Sequence, residues 1–220
     1  MKGLTRLAMA ALFIITAACG GGGGESVDGG IGLPDSGREA WRFVGRIDQD
    51  GLRFTSYGFL THIDGVDDAA LFTGAGDRTE NTALFSVVFE SREAARSRLN
   101  NVTVIDVTGT ATVYLNDTPN RRFGEPATFS QGTPVATASI NGQNILSIDT
   151  DNRDKGVAAA TAEWQQTSAT RFQLAGTARQ LGREGLTERL AVSGNGVRTD
   201  RVRQVSTIEV AGIMTVTGGG

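Results

Sequence analysis

From Trp41 onward the chain alternates apolar and polar residues with a period of two, and turn residues break the alternation at short intervals. Successive side chains of a strand point to opposite faces, so this pattern describes strands with one buried and one solvated face. Trp41 to Ile47 alternates, Asp48-Gln49-Asp50-Gly51 interrupts it, and Leu52 to Leu60 begins a return strand. Asp-Gly supplies the positive φ angles of a tight hairpin turn. Asn100-Asn101 does the same between Leu99 and Val102, ahead of the Val-, Thr- and Ile-rich run to Leu115. Val135 to Ile140 and Ile145 to Ile148 flank Asn141-Gly142, read as a further hairpin. Ala158 to Ser168, Phe172 to Leu181 turning at Arg183-Glu184-Gly185 into Leu186 to Val197, and Val205 to Thr217 bring the expectation to about ten strands. Ser91 to Leu99 could be a short helix capped by Ser91, but it lacks an apolar stripe and reads slightly better as strand.

With helices this scarce, parallel crossovers have no carrier and the sheet must be largely antiparallel. The expected fold class is all-β: an antiparallel barrel first, because closure removes exposed edges, and a two-sheet sandwich second. After the N-terminal region, roughly 180 residues remain, enough for one domain with a sizeable core.

The first eighteen residues read differently. Lys2 and Arg6 precede an apolar stretch from Leu7 to Ile15, then the small residues Thr16, Ala17 and Ala18. This is the order of a secretory signal peptide, and the stretch is well short of the roughly 20 residues of a membrane-spanning helix. Thr16-Ala17-Ala18-Cys19 resembles the lipobox of bacterial lipoproteins, with Thr16 where leucine is usual. The resemblance implies cleavage before Cys19 and attachment there of fatty acyl chains such as palmitate. Lipoproteins of this kind typically carry three such chains, and two suffice for stable anchoring in a bilayer. Glycine rather than aspartate at position 20 further implies the outer membrane, facing the periplasm or the cell surface. Cys19 is the only cysteine in the chain, so it has no disulfide partner within it. Residues 19–38, dominated by Gly, Ser, Asp and Glu, read as a flexible tether, its stretch from Gly20 to Gly37 spanning about 23 Å end to end. Residues 39–220 read as a single β-domain.

Removing residues 1–18 takes Lys2 and Arg6 from 21 basic residues and none of the 24 acidic ones, leaving a net charge of −5. Scattered arginines in an acidic chain do not point to a nucleic-acid partner; the nearest approach to a cluster is Arg92, Arg96 and Arg98.

Catalytic chemistry finds little purchase. A Ser-His-Asp relay needs a histidine, and the chain has one, His62, followed by Asp64, Asp67 and Asp68, with no nucleophile elbow. Structural zinc needs several Cys or His ligands at set spacing, which this chain lacks. The acidic run from Asp149 to Asp154 offers Asp149, Asp151 and Asp154 as weak calcium candidates, but Arg153 and Asp154 stand where an EF-hand loop needs Asp or Asn and then glycine. Gly74-Ala75-Gly76 lacks the Gly-Lys-Ser/Thr of a phosphate-binding loop, so no cofactor is expected. Trp41 and Trp164 sit in strand patterns and read as core. Asp64 to Asn81 and Asn116 to Thr133 are long for hairpin loops and are the first places to look for a binding site.

The expected function is therefore a membrane-anchored extracytoplasmic lipoprotein with a non-catalytic binding or structural domain, whose ligand is a small molecule or an envelope protein. The alternative is an enzyme using carboxylates or a cavity within a small barrel.

Overall fold

The computed structural model describes residues 29–218. Eight long antiparallel strands close into a barrel in the order β10-β11-β2-β3-β4-β5-β6-β7. They are β2 (Glu39–Asp50), β3 (Arg53–Ile63), β4 (Phe85–Leu99), β5 (Val102–Leu115), β6 (Thr133–Ile148), β7 (Lys155–Ala169), β10 (Thr187–Asp200) and β11 (Val205–Gly218). Three short strands, β1 (Gly30–Ile31), β8 (Arg171–Leu174) and β9 (Thr177–Leu181), form a second small sheet in which β1 runs parallel to β9. The fold is all-β, with closure made by β11 pairing β2 from Val205↔Asp50 to Thr215↔Glu39.

The sequence periodicity translates into an inner and an outer wall. On β10 the buried or half-buried positions are Glu188, Leu190, Val192, Gly194 and Gly196, and they face the equivalent positions Trp164, Ala162, Ala160, Ala158 and Gly156 of β7. The outward positions include Thr108, Thr110, Gln143, Thr161, Glu163, Arg189, Ser193, Asn195 and Glu209. The exposed apolar side chains Ile145, Val157, Val197 and Ile213 stand among these polar neighbours.

Two expectations fail for local reasons. Asn141-Gly142 is not a hairpin turn but lies within β6, paired to β5 and β7 on both sides. Gly142 is there for space, since a Cβ would sit 2.6 Å from the Cβ of Ala162. Phe172 to Leu181 is not one strand: Ala175 and Gly176, at φ 49° and 76°, turn it into the β8–β9 hairpin. Asp50-Gly51 and Asn100-Asn101 do turn hairpins, and Ser91 to Leu99 is strand throughout.

The two ends of the barrel differ. Turns 51–52 and 100–101, loop 149–154 and turn 201–204 all lie at one end, which is the mouth. At the other end sit the two longer excursions, the small sheet and the chain from Gly29 to Arg38. Tilted strands of 14–16 residues place the ends about 35 Å apart. Residues 29–38 are not tether: Ile31 is buried, Gly32 donates to Asp64 O at 2.8 Å, and Gly37 donates to Val216 O at 2.8 Å. The domain therefore begins about ten residues earlier than composition suggests, because one buried isoleucine and its backbone hydrogen bonds outweigh the glycines around it.

The closed end is filled by aromatic rings. Trp41 stands edge-on to Trp164 with ring centres 5.5 Å apart, Phe89 is 6.0 Å from Trp164, and Phe43 is 5.8 Å from Phe89. The Phe43 ring packs against Gly212, where a Cβ would come within 2.2 Å of it. A Gly212→Ala variant should lose about 1–3 kcal/mol of stability in chemical denaturation, through overpacking. An unchanged midpoint would show that the ring can move aside.

The two long excursions pack outside the barrel against β3. Tyr57, Phe59, Phe72, Phe123 and Phe129 form a second aromatic cluster there, with Tyr57 and Phe123 each 5.0 Å from Phe129. Arg121 is fully buried beneath it, donating to the carbonyls of Ala83 and Leu84. Burial pushes its guanidinium down to about 10. These loops read from sequence as the first place to seek a binding site; in the structure Phe72, Phe123 and Phe129 fasten them to β3 while residues 73–78 and 124–127 stay exposed.

Candidate functional site

The barrel interior is nearly solid. Between the aromatic floor and the mouth lie small cavities of about 50, 10 and 40 Å³, each sharing wall residues with the next. The lowest reaches Phe43 and Phe89, the middle one adds Leu146, Ala158 and Ile208, and the highest opens among Gln49, Ser206, Ile148, Arg153 and Arg198.

The mouth is the roomier feature. Beside the highest cavity is a basin of about 230 Å³ bounded by Arg98, Asn100, Asn101, Thr103, Ile148, Asp149, Thr150, Arg153 and Arg198, and it shares Asn101, Ile148, Asp149 and Thr150 with a wider hollow of about 820 Å³ that runs on to Lys155, Asn195 and Glu209. Its geometry follows from strand register. Arg98 lies opposite the buried Thr103, itself opposite Leu146, so Arg98 belongs to the inner face of the rim. Arg198 occupies the inward phase of β10 two residues beyond Gly196, and its backbone N–H donates to Asp154 O at 2.7 Å. The Asn101 amide donates to Ile148 O at 3.0 Å and joins the β4–β5 turn to the end of β6.

Charges at this end divide into two sets. Arg96 is bound to Glu93, Arg201 to Asp154 at 2.7 Å, and Arg203 to Asp50 at 3.3 Å. Arg98, Arg153 and Arg198 make no ion pair among the described residues. Sequence reading treated the arginines as scattered and grouped Arg92 with Arg96 and Arg98. The strand period separates them, sending Arg92 outward and Arg96 and Arg98 inward. The missed signal was position relative to the hairpin turns: Arg98, Arg153 and Arg198 each lie within a few residues of a mouth turn.

The calcium candidates do not converge. The Asp149 carboxylate accepts from the backbone N–H groups of Asp151 and Asn152 at 2.7 and 3.0 Å, and those bonds hold it below its ordinary value. Both oxygens of Asp154 accept from Arg201. Among the described residues no group of three or more His, Cys, Asp or Glu side chains is placed to hold a metal.

His62 lies at the other end, outside the barrel, its Nδ1 2.8 Å from Asp68 Oδ1. Asp67 is engaged with the Ala69 N–H at 2.7 Å. No hydroxyl nucleophile bonds to His62 among the described residues. Cys19 lies outside the described residues.

One buried acid was not foreseen. Glu188, 2% exposed, sits at the barrel floor opposite Trp164 and Val216. Burial pushes its carboxyl up to about 8, against a smaller opposing pull from the Trp41 indole N–H. Its Oε1 and the Trp164 Nε1 are buried without hydrogen-bond partners among the described residues. Glu188 does not line the cavities above it and stands apart from the mouth.

Comparison with family profiles, with curated proteins and with solved structures finds no match for this chain.

Proposed function

We propose that the protein is a lipid-anchored, extracytoplasmic binding domain, held through Cys19 and presenting the barrel mouth away from the membrane. The observation that carries this reading is the placement of the two ends. The chain from Gly29 to Arg38 is fastened to the closed end, so an anchor at Cys19 pulls on that end while the mouth stands about 35 Å beyond it.

Two features support a binding role for the mouth. Leu52 and Val202, exposed by 45% and 93%, sit in two mouth turns and Leu99, exposed by 73%, ends β4 beside a third, so each of these turns offers an aliphatic side chain to a partner. The unpaired arginines give the same rim a polar, anion-seeking basin. A nearly solid interior and the separation of His62 from the mouth favour binding over catalysis.

Two measurements test the anchor and the orientation. The Cys19→Ser variant should move from the membrane fraction to the soluble one and lose the mass of the acyl chains; continued membrane association would sink the reading. In anchored protein, a fluorophore on Val202→Cys should be quenched less by a headgroup quencher than one on Ala178→Cys at the closed end. Equal quenching would mean that the barrel lies on its side.

A further inference from the structure

The basin at the mouth gathers Arg98, Arg153 and Arg198, none of which makes an ion pair among the described residues. These three arginines line it with one carboxylate, Asp149, whose Oδ1 already accepts two backbone N–H groups, while Asp154, held by Arg201, lies within electrostatic reach of Arg198. At the same end Arg96, Arg201 and Arg203 are each matched to an acid. Like charges gathered around one hollow repel, and a guanidinium presents a planar fork of donors that fits two oxygens of one anion. The remaining wall is neutral, with the hydroxyls and amides of Asn100, Asn101, Thr103 and Thr150 beside the apolar Ile148. Such groups suit the hydroxyls of a sugar. A volume of about 230 Å³ is of monosaccharide scale, well above that of a lone oxyanion. Below it, the cavity of about 40 Å³ is too small to take a ligand deeper, so recognition happens at the rim.

We propose that the basin binds a sugar carrying a phosphate or sulfate ester, with the ester held by Arg98, Arg153 and Arg198 and the ring hydroxyls by Asn100, Thr103 and Thr150. This names a ligand class for the binding role above and rests on the mouth being a binding surface. It does not depend on the lipid anchor.

The full chain, purified in detergent, is titrated calorimetrically with glucose 6-phosphate, glucose 6-sulfate and glucose. Both esters should bind and glucose should not, and affinity should fall as salt is raised. Arg98→Ala and Arg198→Ala should each weaken binding by about tenfold or more. Arg92→Ala, on the outer wall of the same strand as Arg98, should leave it unchanged. Arg153→Ala, in an exposed loop with no ion pair, provides the same test should a strand variant fold poorly. Vesicles displaying the sugar phosphate on a lipid separate two sources of the chemistry: stronger capture of vesicles than of the free ester identifies a glycolipid headgroup, and equal affinity a soluble saccharide. Binding of glucose as strong as that of its esters, undiminished binding by the arginine variants, or no binding of either ester overturns the inference. Any of those results leaves the membrane fractionation of Cys19→Ser to decide the anchor separately.

Discussion

A Glu188→Gln variant should be more stable than the parent at about pH 9 by roughly 2–4 kcal/mol, while at about pH 5 it should be the less stable of the two, by up to about 2 kcal/mol. The parent carboxyl is held up to about 8 by burial, against an ordinary value of 4.5. Between those two values the folded protein retains a proton that the unfolded chain has released. Stability associated with this group is therefore fully present below about 4.5 and is lost as pH rises through about 8. At about 1.4 kcal/mol per decade, the loss across that window totals roughly 5 kcal/mol. Glutamine keeps the shape and cannot ionise, so its curve should lack this fall. The cost of an extra buried N–H, about 1–3 kcal/mol, offsets part of the gain at every pH alike. Denaturant midpoints measured for both proteins across the range give the difference directly. Parallel curves would mean that water or a hidden cation reaches the carboxylate.

Trp164→Ala should cost about 3–5 kcal/mol, the range for emptying a large aromatic site in a packed core. The ring is 2% exposed, stands edge-on to Trp41 and contacts Phe89, so its removal unseats the layer that closes the floor. It also faces Glu188 across the β7–β10 ladder. The two substitutions should therefore couple: once the ring is gone, water enters beside the carboxyl and the pH dependence should shrink. A Trp164→Ala variant that keeps the full alkaline loss would show that the ring does not desolvate Glu188. A loss well below 3 kcal/mol would show that the floor collapses to fill the space.

Strand class was legible because side-chain alternation is a local signal repeated in every strand, whereas alternation alone left the closed barrel and the two-sheet sandwich both open. Turns at Asp50-Gly51 and Asn100-Asn101 were legible for the same reason. Asn141-Gly142 misled because that dipeptide favours a turn only where the chain is free to make one; here both neighbouring strands hold β6 extended. Ile31 was hidden among glycines because its burial depends on β9, some 150 residues away in sequence. The long excursions looked functional by length, yet Phe72, Phe123 and Phe129 commit them to packing. The arginine basin was illegible because it joins β4, loop 149–154 and β10, and only the register of the closed sheet brings these together.

The seam between β11 and β2 has a kinetic side. Pairs such as Val210↔Gly45 join the two extremes of the described chain, so the cylinder cannot close until its final strand exists. Contacts of such high order are made late, and folding should be slow for a chain of this size. Until then β2 and β10 each offer a row of unsatisfied amides, the template on which β-proteins associate wrongly. A chain cut before Val205 would be an open sheet with two adhesive margins.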